Sequence, residues 1–243
     1  MKKLIIPISV GAMSLSFVAS SKTSKGSDRK RYSPTTHIVY NNAAVSTGSG
    51  LYYSIGGDAV GLSHEAFDNA WKGYQRLLNE GRIPETRYLT ICDLSVSSRK
   101  KRFFIIDVTN EKIVTQTWVA HGQNSGAEYA ERFSNQPESL QSSLGFYITH
   151  RTYTGNNGLS LRLEGLEPGY NSKAMERTIV IHGADYVDGA RARAGYFMGR
   201  SWGCPAVPRK EAGKIINTIK NGTLLFIYHP GGDYLQKSKI LND

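Results

Sequence analysis

The chain has 243 residues, a formal net charge of +10 and two cysteines. That length buries a sizeable core without covalent staples, and two cysteines exclude a disulfide-built scaffold. Most of the charge lies in front, in Lys2, Lys3 and the stretch KTSKGSDRKR over residues 22–31; with no aromatic-and-basic pattern beside it, nucleic acid is excluded as the expected partner.

Residues 1–20, MKKLIIPISVGAMSLSFVAS, set two lysines before an apolar run from Leu4 to Ala19 and end on small residues. This is the layout of a secretory signal peptide, and the run is shorter than the ~20 residues of a spanning helix. The expected location is therefore outside the cytoplasm, in the periplasm or cell envelope. Residues 21–60 are rich in Ser, Thr, Asn and Gly and read as a basic, Ser/Gly-rich linker with at most short ordered pieces. Its basic leader is expected to be a solvated tether, a contact with an anionic envelope being the alternative.

An amphipathic helix is expected within residues 61–85, where Phe67, Trp71, Tyr74 and Leu78 share one helical face, Ser63 can cap the start and Gly81 the end. From Tyr88 the texture turns to strands: RYLTICDLSV, RFFIIDV, IVTQTWVA, GFYITH, LSLRL, RTIVIHG and TLLFIYH. TGNNG between the fourth and fifth reads as a hairpin connection. PRKEAGKIINTIKNG reads as a helix with Pro208 at its first turn, Gly222 at its stop and an apolar stripe of Ala212, Ile215, Ile216 and Ile219. The expectation is one mainly β domain over residues 86–230 with a few peripheral helices, followed by a C-terminal tail over 231–243.

Two positions in that domain carry chemistry. Cys204 sits in MGRSWGCPAVP, a glycine-flanked turn suited to presenting a reactive atom, whereas Cys92 sits in a strand pattern where a small buried residue is ordinary. These contexts argue against a Cys92–Cys204 disulfide. A thiol nucleophile needs a base, and His182 ends a strand pattern 22 residues before Cys204. Such a pair is expected to lower the thiol pKa, with a further contribution from the following helix N-terminus if it points at the sulfur. Gly203 would let a substrate carbonyl approach the backbone, and Ser201 would support the turn or donate to substrate. Because Pro205 has no N–H, an oxyanion hole must draw on the amides of Trp202, Gly203 or Cys204. The same residues also read as a structural turn and a hydrogen-bonded strand-end histidine.

The stretches IVIHGA and GRSWGCPAV resemble the signature of the murein L,D-transpeptidases, the YkuD-type cysteine enzymes of peptidoglycan. The likeness extends through VAHGQNSG, RFSN, SSLGFY and GLSLRL, so it covers most of residues 86–230. It implies a β-sandwich or barrel-like domain, a peptidoglycan stem tetrapeptide as partner, and no cofactor. Cys204 would attack the carbonyl between the L-centre of diaminopimelate and the terminal D-Ala. His182 would act as base, oriented by the Gly183 carbonyl, while Ser201 and Gly203 match the remaining motif positions. The resulting thioester would pass to an amine, or to water in a carboxypeptidase. A binding module without catalysis is the reading from another class. Two positions depart from the pattern: Trp202 stands where many relatives have histidine, and Ala206 where many have an arginine for a substrate carboxylate. Arg200, or an arginine of ARARAGYFMGR, would then take that place.

His121, Asn124 and Ser125 form a donor-rich turn that would either line the cleft or simply join two strands, and Ser142 and Ser143 read the same way. Tyr147 and His150 read as strand residues, while His37, His64 and His229 carry no partner signal. Asp185 lies three residues after His182, yet no spacing completes a zinc set, so no metal is expected. The protein is expected to act as a monomer.

Overall fold

The computed structural model describes residues 48–198 and 200–243. The expected signal peptide and the linker up to residue 47 lie outside these. Residues 48–60, within the expected linker, hold short ordered pieces. They form α1 (Gly48–Ser54) and α2 (Gly57–Val60), with Leu51 and Tyr52 fully buried and the Tyr52 hydroxyl donating to the Leu62 carbonyl at 2.7 Å. Two large apolar side chains reach the core, which a count of Ser and Gly does not register.

Next comes α3 (His64–Asn79), where the Ser63 hydroxyl accepts from the Ala66 N–H at 3.2 Å and caps the helix as its position predicts. Its buried face is Phe67, Ala70, Trp71, Tyr74 and Leu77; Leu78 is only partly covered, because at 100° per residue Leu77 lies closer to the centre of the stripe. Each large apolar side chain of that face contributes about 1.5–3 kcal/mol of burial, opposed by the entropy of ordering it.

The strands are β1 (Tyr88–Asp93), β2 (Phe103–Asp107), β3 (Lys112–Thr117), β4 (Gly145–Gly155), β5 (Gly158–Gly165), β6 (Val180–Ala184), β7 (Ala206–Pro208) and β8 (Leu224–Tyr228). They form one eight-stranded mixed sheet in the order β3-β2-β1-β8-β4-β5-β6-β7. The hairpin read from TGNNG is present: Gly155 pairs with Gly158 across Asn156 and Asn157. The chain leaving β3 bridges the far edge, where the Ala120 N–H donates to the Ala206 carbonyl of β7 at 2.8 Å. The sheet thus nearly closes into a barrel, and the fold is mainly β, barrel-like, with few and mostly short helices.

Between β6 and β7 lies α4 (Gly189–Arg193). After β7, α5 (Arg209–Ile219) buries Ala212, Ile215, Ile216 and Ile219 as its stripe predicts. The last residues depart from a plain tail. They form α6 (Tyr234–Lys237) and α7 (Lys239–Asn242), tied down by the buried Glu167 carboxylate, which accepts from the Phe146 N–H and the Tyr234 hydroxyl at 2.8 Å each and from the Ser238 hydroxyl. A buried carboxylate is held only by such donors, and these anchor the C-terminus to β4.

Candidate active site

Strand β6 alternates its side chains, sending Ile181 to the core and Val180 and His182 towards a cavity of about 640 Å³. Parallel β7 pairs beside it with His182 opposite Ala206, so the turn just upstream places Cys204 on the same cavity. Its wall is completed by Arg177, Thr178, Arg200, Ser201 and Trp202, with Tyr186 and the β4–β5 hairpin residues Tyr153, Asn156 and Asn157. His182 and Cys204 therefore share one cleft, and Cys92 is buried on β1; both thiols are free.

His182 is 5% exposed, and its Nδ1 lies 3.1 Å from the Gly183 carbonyl. Since a carbonyl only accepts, Nδ1 carries the proton, and Nε2 keeps its lone pair. Gly183 has a second role. A Cβ there would come within 3.0 Å of Ala212 and 3.1 Å of the Arg209 backbone, so its bare backbone lets α5 pack against β6.

The electrostatics differ from the sequence expectation. Burial pushes the Cys204 thiol above its ordinary value, against a smaller opposing effect of a hydrogen bond from the Val180 backbone and the positive charge of Arg177. Burial lowers the His182 imidazole below 6.5, opposed by its bond to Gly183 and reinforced by Arg209. Both shifts favour uncharged groups, so the resting pair is thiol and neutral imidazole rather than thiolate and imidazolium. The α5 N-terminus begins at Arg209, beyond β7, and does not directly follow the cysteine. Cys204 Sγ donates to the Thr178 carbonyl at 3.7 Å.

Ser201 organises the turn that carries the cysteine. Its hydroxyl donates to the Cys204 carbonyl at 2.6 Å and accepts from the Gly203 N–H at 3.1 Å. The Gly203 amide is thereby spent, and the three oxyanion donors open in the sequence reduce to Trp202 and Cys204, whose N–H groups meet no acceptor among the described residues. Gly203 serves the protein rather than an approaching substrate. Its φ is +122°, and a Cβ there would meet the Gln141 carbonyl at 2.7 Å.

The VAHGQNSG stretch holds this turn from behind. The Ser201 N–H donates to the His121 carbonyl at 2.9 Å, and the Gln123 N–H donates to the Ser201 carbonyl at 2.7 Å. The side chains of His121, Asn124, Ser125 and Ser143 do not line the cavity. His121 is fully buried, with Nδ1 accepting from Arg102 at 2.7 Å; burial, and then the Arg102 charge, lower it to about 3. Asn124 donates to the Ser139 carbonyl, Ser125 Oγ accepts from the Ser142 N–H, and Ser143 Oγ donates to the Ser134 carbonyl. Ser142 braces the cysteine-bearing turn directly by donating to the Gly203 carbonyl at 3.1 Å. Asp185 pairs with Arg209 at 2.6 Å, and no cluster of three metal-ligating side chains occurs among the described residues.

Trp202 stands 75% exposed at the cavity mouth. Arg200 is anchored through one terminal nitrogen to the Gln123 and Gly126 carbonyls at 3.2 and 2.9 Å, and its other nitrogens meet no acceptor among the described residues. Arg191 and Arg193 are not among the lining residues. Sequence reasoning passed over Arg177, Tyr153, Tyr186 and the hairpin asparagines, which come from distant parts of the chain. The only local hint was the nearness of Arg177 to the TIVIH strand.

A profile of the L,D-transpeptidase catalytic domain family matches residues 58–228. Among curated proteins, none matches the chain. Among solved structures, similarity is found to an L,D-transpeptidase from Mycobacterium smegmatis, with 9% identity, a TM-score of 0.39 and 59% of each chain covered. An L,D-transpeptidase from Xylanimonas cellulosilytica is similar at 16% identity and a TM-score of 0.33, over 63% of this chain and 68% of that one. One from Mycobacterium tuberculosis is similar at 13% identity and a TM-score of 0.33, over 59% and 58%.

Proposed function

Because the chain belongs to the L,D-transpeptidase catalytic domain family, we propose that it is a peptidoglycan acyltransferase with Cys204 as nucleophile and His182 as general base. The observation that carries this reading is one cavity shared by a thiol and an imidazole whose Nδ1 proton is held by the Gly183 carbonyl, leaving Nε2 to accept a proton.

The reaction starts from two neutral groups. As Sγ attacks the carbonyl between diaminopimelate and D-Ala, its proton passes to His182 Nε2. The oxyanion of the tetrahedral intermediate is met by the Trp202 and Cys204 N–H groups, neither of which meets an acceptor among the described residues. Collapse breaks the C–N bond, His182 returns the proton to the leaving nitrogen, D-Ala departs, and a thioester remains on Cys204. An incoming amine then attacks the thioester, His182 takes its proton, and the amide forms with the thiol restored. Ser201 keeps the turn in shape throughout. Arg200 at the lip, with N–H groups that meet no acceptor among the described residues, would take a substrate carboxylate, the contact that Ala206 cannot supply. Trp202 offers an exposed aromatic face to the stem peptide. No metal or cofactor enters this scheme. The same reading places the enzyme outside the cytoplasm, exported on residues 1–20.

Product analysis tests the acceptor. With a disaccharide-tetrapeptide donor and an amine acceptor, the transferase yields an amide-linked dimer and free D-Ala. Free tripeptide as sole product, with acceptor in excess, would contradict transfer and make water the acceptor.

A further inference from the structure

A cation stands close behind the reactive turn, and neither the sequence motif nor the scheme above uses it. Arg177 lies just before β6 and lines the Cys204 cavity, half-buried. Both terminal nitrogens of its guanidinium are pinned to the loop over residues 134–143. One donates to the Ser134 carbonyl at 2.6 Å and to Ser143 Oγ; the other donates to the Gln141 carbonyl at 2.6 Å and to Ser139 Oγ at 3.2 Å. Every one of these acceptors is neutral. Among the described residues Arg177 pairs with no carboxylate, unlike Arg76, Arg82, Arg87, Arg99 and Arg209, which all do.

Its position relative to the nucleophile follows from two contacts. The second terminal nitrogen would lie 3.2 Å from a Cβ built on Gly203, the residue before the cysteine. The carbonyl that accepts from Sγ belongs to Thr178, the residue after Arg177. With its terminal N–H groups committed to the loop, this guanidinium is poorly placed to grip a substrate carboxylate in bidentate fashion. It is held in place, with no carboxylate partner among the described residues, against the Gly203 side of the turn that carries the sulfur.

We propose that Arg177 is a positioning residue that stabilises the anionic sulfur of Cys204 as its proton leaves for His182, and the negative charge that follows on the attacked carbonyl. The inference rests on Cys204 being the nucleophile. A fixed cation in a half-buried site is weakly screened, so its field opposes the burial that otherwise holds the thiol neutral. It also separates two tasks. Arg177 acts on Cys204, whereas the cation bearing on His182 is Arg209, which is paired with Asp185. The other titratable and charged groups facing the thiol are His182 and Tyr186 on the β6 side, Tyr153 at the end of β4 and Arg200 across the cleft, with Tyr147 buried behind Arg177. None of these is a second fixed cation on the Gly203 side of the turn.

The test is the pH profile of Cys204 alkylation by iodoacetamide in wild type, Arg177→Gln and Arg177→Lys, with Cys204→Ala as blank and thermal melting recorded for each. The expected result is a midpoint higher in Arg177→Gln by about one unit, hence about tenfold slower alkylation below it, and a largely wild-type midpoint in Arg177→Lys. A midpoint unchanged or lowered in Arg177→Gln overturns the inference, whatever happens to the melting temperature, since loss of loop support alone would uncover the thiol and lower its midpoint rather than raise it. If Arg177→Gln does not fold, wild type decides. An iodoacetate-to-iodoacetamide rate ratio above that of a free thiol, retained in Arg200→Gln, supports the nearby cation, and a ratio equal to the free thiol's overturns it. None of these readouts uses substrate. Failure to form a tetrapeptide adduct therefore counts against the nucleophile assignment, and an unshifted profile against Arg177.

Discussion

His182→Ala will slow acylation of Cys204 by a donor tetrapeptide about 10²–10⁴-fold, the usual contribution of one positioned general base. The expectation follows from the resting state. With the thiol pushed up and the imidazole pushed down, the nucleophile is not preformed and its proton must move during attack. The pH profile gives the same mechanism a sign. As the proposed base His182 would work only when neutral, and burial holds it below the ordinary 6.5, so the acid limb of kcat/KM is expected to fall off below pH 6.5, with the rate lost as pH drops through the lowered value. In His182→Ala that limb should vanish, leaving a rate that rises with thiolate alone. Stopped-flow acylation across pH 5–9 measures both effects. A His182→Ala enzyme within threefold of wild type, or an acid limb well above pH 6.5, would contradict the neutral-pair mechanism.

Gly203→Ala will disable the site by a different route. At φ +122° a side chain is strained by about 1–3 kcal/mol, and the added Cβ would sit 2.7 Å from the Gln141 carbonyl, itself tied to Arg177. The nearest neighbour is a backbone oxygen, which leaves little room to yield, so the turn bearing Cys204 must shift. The expected result is a melting temperature lower by several degrees, given ~2–4 °C per kcal/mol for a chain of this size, and loss of tetrapeptide acylation. Gly213→Ala is the internal control. It lies on α5 with open space around its would-be Cβ and should be neutral or stabilising by up to ~1 kcal/mol. Equal and small effects of the two substitutions would show that Gly203 is dispensable.

The parts of the molecule legible in the sequence are those with local causes. Strand patterns, the Ser63 cap, the Gly155–Gly158 hairpin and the α5 stripe each follow from neighbouring residues, and each is present. Cys204 and His182 were legible because a glycine-flanked cysteine and a strand-end histidine are unusual in composition, and the register of β6 with β7 brings both to one cavity. What was not legible depends on distant contacts. Residues 48–60 are helical and reach the core through Leu51 and Tyr52, although their composition suits a linker. The C-terminal residues fold because Glu167 captures them from some 70 positions away. His121, Asn124, Ser125 and Ser143 look like cleft donors by type, but each is drawn into internal bonds by a partner on another turn or loop. The direction of the Cys204 shift also needed the burial of the site, which motif spacing does not carry.

Intact-protein mass spectrometry of the protein incubated with disaccharide-tetrapeptide reads covalent acylation of Cys204 by a stem peptide. The expected result is an adduct equal to the donor minus D-Ala on wild type, absent from Cys204→Ala and discharged by an amine acceptor. Turnover of the tetrapeptide by folded Cys204→Ala at the wild-type rate, or no adduct and no D-Ala release from fully reduced wild type that still binds the donor, would contradict it.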